Sequence, residues 1–91
     1  MKVGVIGSGG REHAICISLK KSKNIDKIYC FPGNAGTSFI AENIEIDLNN
    51  FEELKRVIKE LGIDIIIVGP EKPLVDGIVD FLEQNKIKVF G

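Results

Sequence analysis

Two hydrophobic rhythms alternate along the chain. Lys2-Val3-Gly4-Val5-Ile6-Gly7 is apolar and β-branched and ends on glycine, which predicts a buried strand over residues 2–7. Residues 11–21 follow as a helix: Ala14, Ile15 and Leu19 share a face, Cys16 and Ile17 broaden it, and Lys20 and Lys21 suit its C-terminus, where the dipole favours cations. Residues 26–31 form a second strand centred on Ile28-Tyr29-Cys30-Phe31, and Ile44-Glu45-Ile46 a short third one. Asn49 or Asn50 then caps a helix with Glu52 and Glu53 in its first turn. Phe51, Leu54, Val57, Ile58 and Leu61 make one helical stripe, and Gly62 stops it. Asp64-Ile65-Ile66-Ile67-Val68 is a continuous apolar run, the mark of a strand covered on both faces. Leu74, Val75, Ile78, Val79 and Leu82 form the next helical stripe, with Pro73 near its start, and residues 86–90 read as a fifth strand.

Strands alternating with helices predict an α/β fold. The expected architecture is Rossmann-like: a five-stranded parallel sheet in the order 3-2-1-4-5 with helices on both faces. In that order strands one and four are neighbours and their connections leave toward opposite faces, so a crevice opens at their carboxyl ends. The segments least compatible with regular structure, residues 7–11, 32–37 and 69–73, follow strands one, two and four. All three therefore converge on the same edge of the sheet.

Size and charge narrow the function. Ninety-one residues suffice for one small domain, residues 1–91, and not for two independent cores. With 44% hydrophobic residues the chain is not of the disordered class. Twelve basic residues against thirteen acidic ones leave no cationic surface for non-specific nucleic-acid binding. No apolar run reaches the roughly 20 residues of a membrane span. The start runs directly into a strand, so no cleavable leader is expected. Cys16 and Cys30 are expected as reduced, buried thiols, and with one histidine in the chain no metal-ligand set is expected; a cytoplasmic location follows.

Gly7-Ser8-Gly9-Gly10-Arg11-Glu12 joins a strand to a helix. Glycines there allow backbone N–H groups to approach a ligand, and the helix N-terminus favours an anion such as a phosphate; the same glycines would also serve a simple tight turn. A dinucleotide is disfavoured. Glu12 stands where the fingerprint requires a third glycine, and the second strand ends without the acid that would hold a ribose. No Gly-Lys-Ser/Thr follows, so the loop is not a Walker A motif. Glu71, rigidly flanked by Pro70 and Pro73, either accepts bonds from sugar hydroxyls or is a solvated loop acid. Asn34 either contacts a ligand or stabilises its own turn, and Arg11 either pairs with a phosphate or lies along the surface. His13 reads as an ordinary first-turn residue. No catalytic triad or acid/base pair is evident.

Three strings together, Gly7-Ser8-Gly9-Gly10-Arg11-Glu12-His13-Ala14, Pro32-Gly33-Asn34-Ala35-Gly36-Thr37 and Gly69-Pro70-Glu71-Lys72-Pro73-Leu74, resemble the N-terminal domain of the phosphoribosylamine–glycine ligases, also called glycinamide ribonucleotide synthetases. The resemblance covers essentially the whole chain. It implies a pre-ATP-grasp domain of an ATP-grasp ligase of purine synthesis. That ligase joins phosphoribosylamine to glycine through a glycyl phosphate, with ATP and Mg²⁺ (or Mn²⁺), giving glycinamide ribonucleotide, ADP and phosphate. It further implies that Gly9, Gly10 and Arg11 face the phosphoribosyl group, that Glu71 holds ribose hydroxyls, and that Asn34 borders the pocket. The ATP-grasp and C-terminal domains are absent from these residues, so no catalytic, cofactor or metal residue is expected here, nor ligase activity from this chain by itself. A stand-alone phosphosugar or nucleotide-binding module of regulatory role is the alternative. Neither nucleic acid nor membrane is an expected partner.

Overall fold

The computed structural model describes residues 1–7, 9–68 and 72–90, with the backbone alone for 72–76. Five strands, β1 (Lys2–Gly7), β2 (Lys27–Pro32), β3 (Glu42–Asn43), β4 (Ile65–Val68) and β5 (Val89–Phe90), form one sheet in the order β3-β2-β1-β4-β5. Every pairing is parallel, so the sheet has the expected order and sense. Three helices connect it: α1 (Gly10–Lys20), α2 (Phe51–Leu61) and α3 (Lys72–Gln84).

The period of two along the strands divides the core. Val3, Val5, Ile28 and Cys30 point to one face and pack with Cys16 of α1. Ile6, Tyr29, Phe31, Ile66 and Val68 point to the other and pack with Leu54 and Ile58 of α2 and Ile78 and Leu82 of α3. Ile65 and Ile67 join the first group and Ile66 and Val68 the second, which is why β4 reads as an unbroken apolar run. On the second face Gly4 leaves room for larger neighbours: a Cβ there would lie 2.7 Å from Ile66 Cδ1 and 3.0 Å from the Phe31 ring.

The helix ends follow local chemistry. Asn50 caps α2, its Oδ1 accepting from Glu53 N–H at 3.1 Å, and Gly62 closes the helix in the left-handed region at φ 69°. Residues 11–21 were expected for α1; the helix runs one residue earlier, with Lys21 as its C-cap. In α3 the expected stripe places Ile78 and Leu82 in the core and Val79 at its margin, while Leu74 and Val75 lie outside the described side chains.

Two strand expectations need correction. The third strand is Glu42–Asn43, not residues 44–46. The Ile44-Glu45-Ile46 alternation marks side chains packing at the α2/α3 core, whereas the ladder lies just before it and ends with Ile44 N–H donating to Cys30 C=O at 2.7 Å. The fifth strand is only Val89–Phe90, because residues 85–87 are turned back on α3. Ile87 N–H bonds to Leu82 C=O at 3.0 Å, and Lys86 takes φ 63°.

Candidate functional site

Parallel pairing brings the ends of β1, β2 and β4 to one edge, with Gly7 level with Pro32 and Ile6 level with Val68. The first two of the loops predicted to converge leave from there. Residues 69–71, and with them Glu71, lie outside the described residues, as does Ser8 of the first loop.

Hydrogen bonds join the first two loops. Gly33 N–H donates to Gly7 C=O at 3.1 Å, and the Asn34 side-chain amide donates to Gly9 C=O at 3.1 Å. Asn34 Oδ1 accepts from Thr37 N–H at 2.9 Å, and the Thr37 hydroxyl accepts from Asn34 N–H at 2.8 Å. Asn43 on β3 completes the set. Its amide donates to Asn34 C=O at 2.8 Å, and its Oδ1 lies 2.7 Å from the Thr37 hydroxyl. Thr37, in a 3₁₀ turn at Thr37–Phe39, is fully buried and satisfied by these partners. Of the two roles open to Asn34, the structure shows the turn-stabilising one and adds a tie to the glycine loop.

Glu12 is only 2% exposed, which is unusual for a carboxylate. It folds back under its own helix terminus, and its Oε1 accepts a long bond, 3.4 Å, from Gly9 N–H. A Cβ at Gly7 would lie 2.1 Å from that oxygen. Glu12 thus fills the space that the third glycine of a dinucleotide fingerprint would leave open. His13 is more than a plain first-turn residue, since a Cβ at Gly36 would come within 2.9 Å of its ring. It packs against the second loop. Sequence reasoning missed Glu12, Thr37 and Asn43 as parts of the site; only Glu12, by breaking the fingerprint, left a signal.

Gly9 and Gly10 stand apart from Gly7. Gly7 sits at φ 140° against Glu12, so the fold demands glycine there. Gly9, the N-cap of α1, has φ −92°, and a Cβ on it would make ordinary contacts at 3.7 Å with the Glu12 carboxylate. A Cβ on Gly10, at the exposed first position of the helix, would meet no described atom within 4 Å. The described structure has room for a side chain at both. Arg11 is exposed and forms no ion pair with a described carboxylate.

Below the loops, Cys16 and Cys30 are free, fully buried thiols with their sulfurs 3.3 Å apart. Cys30 ionises first: the Cys16 S–H donating to it lowers its pKa, with a smaller contribution from Thr37, against the opposing effect of burial. Cys16 is pushed far above the ordinary thiol range by that same bond, then by burial and by the negative charges of Cys30 and Glu12. No cluster of three or more metal-ligating side chains occurs among the described residues.

Concavities lined by described residues also lie away from this edge. One of about 870 Å³ runs along Met1, Gly62 and Lys88, and one of about 540 Å³ lies between Lys20, Lys27 and Phe39. Neither contains a glycine loop or a buried polar cluster. The loop edge carries the stronger chemical signal.

Residues 1–91 match the family model described as phosphoribosylglycinamide synthetase, N domain. The chain belongs to this family. A phosphoribosylamine–glycine ligase from Caldanaerobacter subterraneus subsp. tengcongensis is 53% identical over the whole chain, and one from Clostridium acetobutylicum 44%. The chain spans 22% of the length of each. The crystal structure of the phosphoribosylamine–glycine ligase from Thermotoga maritima superposes with a TM-score of 0.63 at 29% identity, over 84% of this chain and 17% of that one. Saccharopine dehydrogenase from Saccharomyces cerevisiae superposes at 0.76 with 17% identity, over 97% of this chain and 20% of that one, a likeness of fold alone. The synthetase N-domain family accounts for the three motifs, and nothing in these relatives supports a separate regulatory module. No described helix is long and apolar enough to cross a membrane.

Proposed function

We propose that residues 1–91 are the ribonucleotide-binding N-terminal domain of a phosphoribosylamine–glycine ligase acting in cytoplasmic purine synthesis. The observation that carries this reading is the Gly9-Gly10 pair. In a chain of this family, two glycines stand at a helix N-terminus where the described fold has room for side chains. Close approach of a ligand accounts for both, and the N–H groups of Gly10 and Arg11 are free to face its phosphate. The Arg11 guanidinium adds charge, Glu71 accepts from the ribose hydroxyls, and Asn34 fixes the rim by holding both loops.

In this role the domain positions the substrate amine; it moves no proton. The acyl transfer requires ATP and Mg²⁺ or Mn²⁺ to activate glycine as glycyl phosphate, and we assign that chemistry to the polypeptide that the relatives carry beyond the matched segment. Residues 1–91 alone then bind without catalysing.

A thermal-shift titration tests the reading. Glycinamide ribonucleotide and, more weakly, ribose 5-phosphate raise the melting midpoint at millimolar concentration, while NAD does not. A shift with NAD and none with glycinamide ribonucleotide would overturn it.

A further inference from the structure

Beyond that reading, we propose that Cys16 and Cys30 form a reversible intramolecular disulfide that pins α1 to β2 beneath the binding loops. The sulfurs already touch at 3.3 Å, and closing to a bond of about 2.05 Å asks for a movement of about 1.3 Å. One cysteine lies on the helix that the glycine loop leads into, the other two residues before Pro32 on the strand that feeds the second loop. Both are fully buried, so no other protein thiol competes for either, and the folded chain holds the pair together.

The oxidant is a low-molecular-weight disulfide such as glutathione disulfide, admitted when α1 opens locally. The Cys30 thiolate attacks one of its sulfurs, forming a mixed disulfide and releasing one glutathione thiolate, which takes up the proton Cys30 gave off. Cys16 then loses its proton and attacks the Cys30 sulfur, releasing the second glutathione, which is protonated in turn. Two protein thiols and one small disulfide become one protein disulfide and two small thiols; the two electrons pass to glutathione. Burial makes the step slow, so equilibrium is the proper readout.

The closed loop joins residues 14 positions apart. By linkage, whatever the disulfide adds to the stability of the fold, the fold returns as preference for the disulfide. For a loop of this size that preference is about a hundredfold in the thiol–disulfide equilibrium constant, native over unfolded.

The test equilibrates the 91-residue chain, without ribonucleotide, in glutathione redox buffers with and without denaturant, followed by acid quench, alkylation and mass spectrometry. The expected product is a monomer two hydrogens lighter with a Cys16–Cys30 linked peptide, an equilibrium constant about a hundredfold larger in the native chain, and a melting midpoint raised by about 15 °C. Reductant reverses all three. Equal or smaller constants in the native chain, or glutathione adducts and dimers in place of the internal bond, overturn the proposal. Cys16→Val, or Cys30→Val if the first does not fold, should lose the oxidant-dependent rise in midpoint; a rise that persists also overturns it. Since no ribonucleotide is used, failure here leaves the binding proposal untouched.

Discussion

The two faces of the sheet are held by different means. On the α2/α3 side, Phe31, Leu54, Ile58, Ile66, Ile78 and Leu82 fill a conventional apolar core. On the α1 side the fully buried helix residues are the small Cys16 and the charged Glu12. The other ties at the start of α1 are polar, from Asn34 to Gly9 and from Glu12 to Gly9. The first face carries the larger apolar core; on the second, α1 packs through Ile15, Cys16 and Leu19 and adds directed bonds at its start. The edge we propose for binding adjoins the smaller of the two apolar clusters.

The largest effect that sharpens this contrast is Leu54→Ala. Truncating a fully buried side chain between α2 and the sheet should lower stability by about 2–5 kcal/mol in denaturant unfolding, against about 1 kcal/mol for Cys16→Ala on the other face. Equal losses would break the comparison. Asn34→Ala comes next. Losing the Gly9 and Thr37 partners should lower stability by about 1–3 kcal/mol and weaken glycinamide ribonucleotide binding, measured by calorimetry. Gly10→Ala separates site from fold. Stability should hold or rise by up to about 1 kcal/mol, while ribonucleotide affinity falls about tenfold or more. Unchanged affinity would remove Gly10 from the site.

Glu12→Gln has a smaller effect, read in pH. Because the Glu12 charge raises the pKa of both thiols, its removal should move thiolate formation to lower pH and speed thiol labelling at a fixed alkaline pH. A profile displaced upward would contradict the placement of that carboxylate. Smallest is Arg56→Ala, which breaks the exposed Arg56–Glu60 pair on α2. The change should be about 0.5 kcal/mol or less and fade with salt.

The apolar periodicities made the sheet order and the helix stripes legible, because burial on two faces leaves a strong pattern in β1, β2, β4 and α2. The short edge strands were misplaced for a related reason. Ile44 and Ile46 report where side chains are buried, and a two-residue ladder at Glu42–Asn43 has no periodicity of its own. The glycine loop was legible as a loop, and its family resemblance as a string. The Asn34–Thr37–Asn43 network was not, since it joins β3 to a loop through contacts that only the fold creates. Nor does any local pattern announce that Cys16 and Cys30 meet.

Gly9 is held at both of its backbone groups, its N–H by Glu12 and its C=O by Asn34. The ordering entropy of Gly9 is thus met during folding. On the proposed reading, a ligand at Gly9 would lose mainly its own freedom, so a small sugar phosphate with few contacts would suffice for occupancy. Loosening either tie would show first as a poorer dissociation constant in an otherwise folded chain.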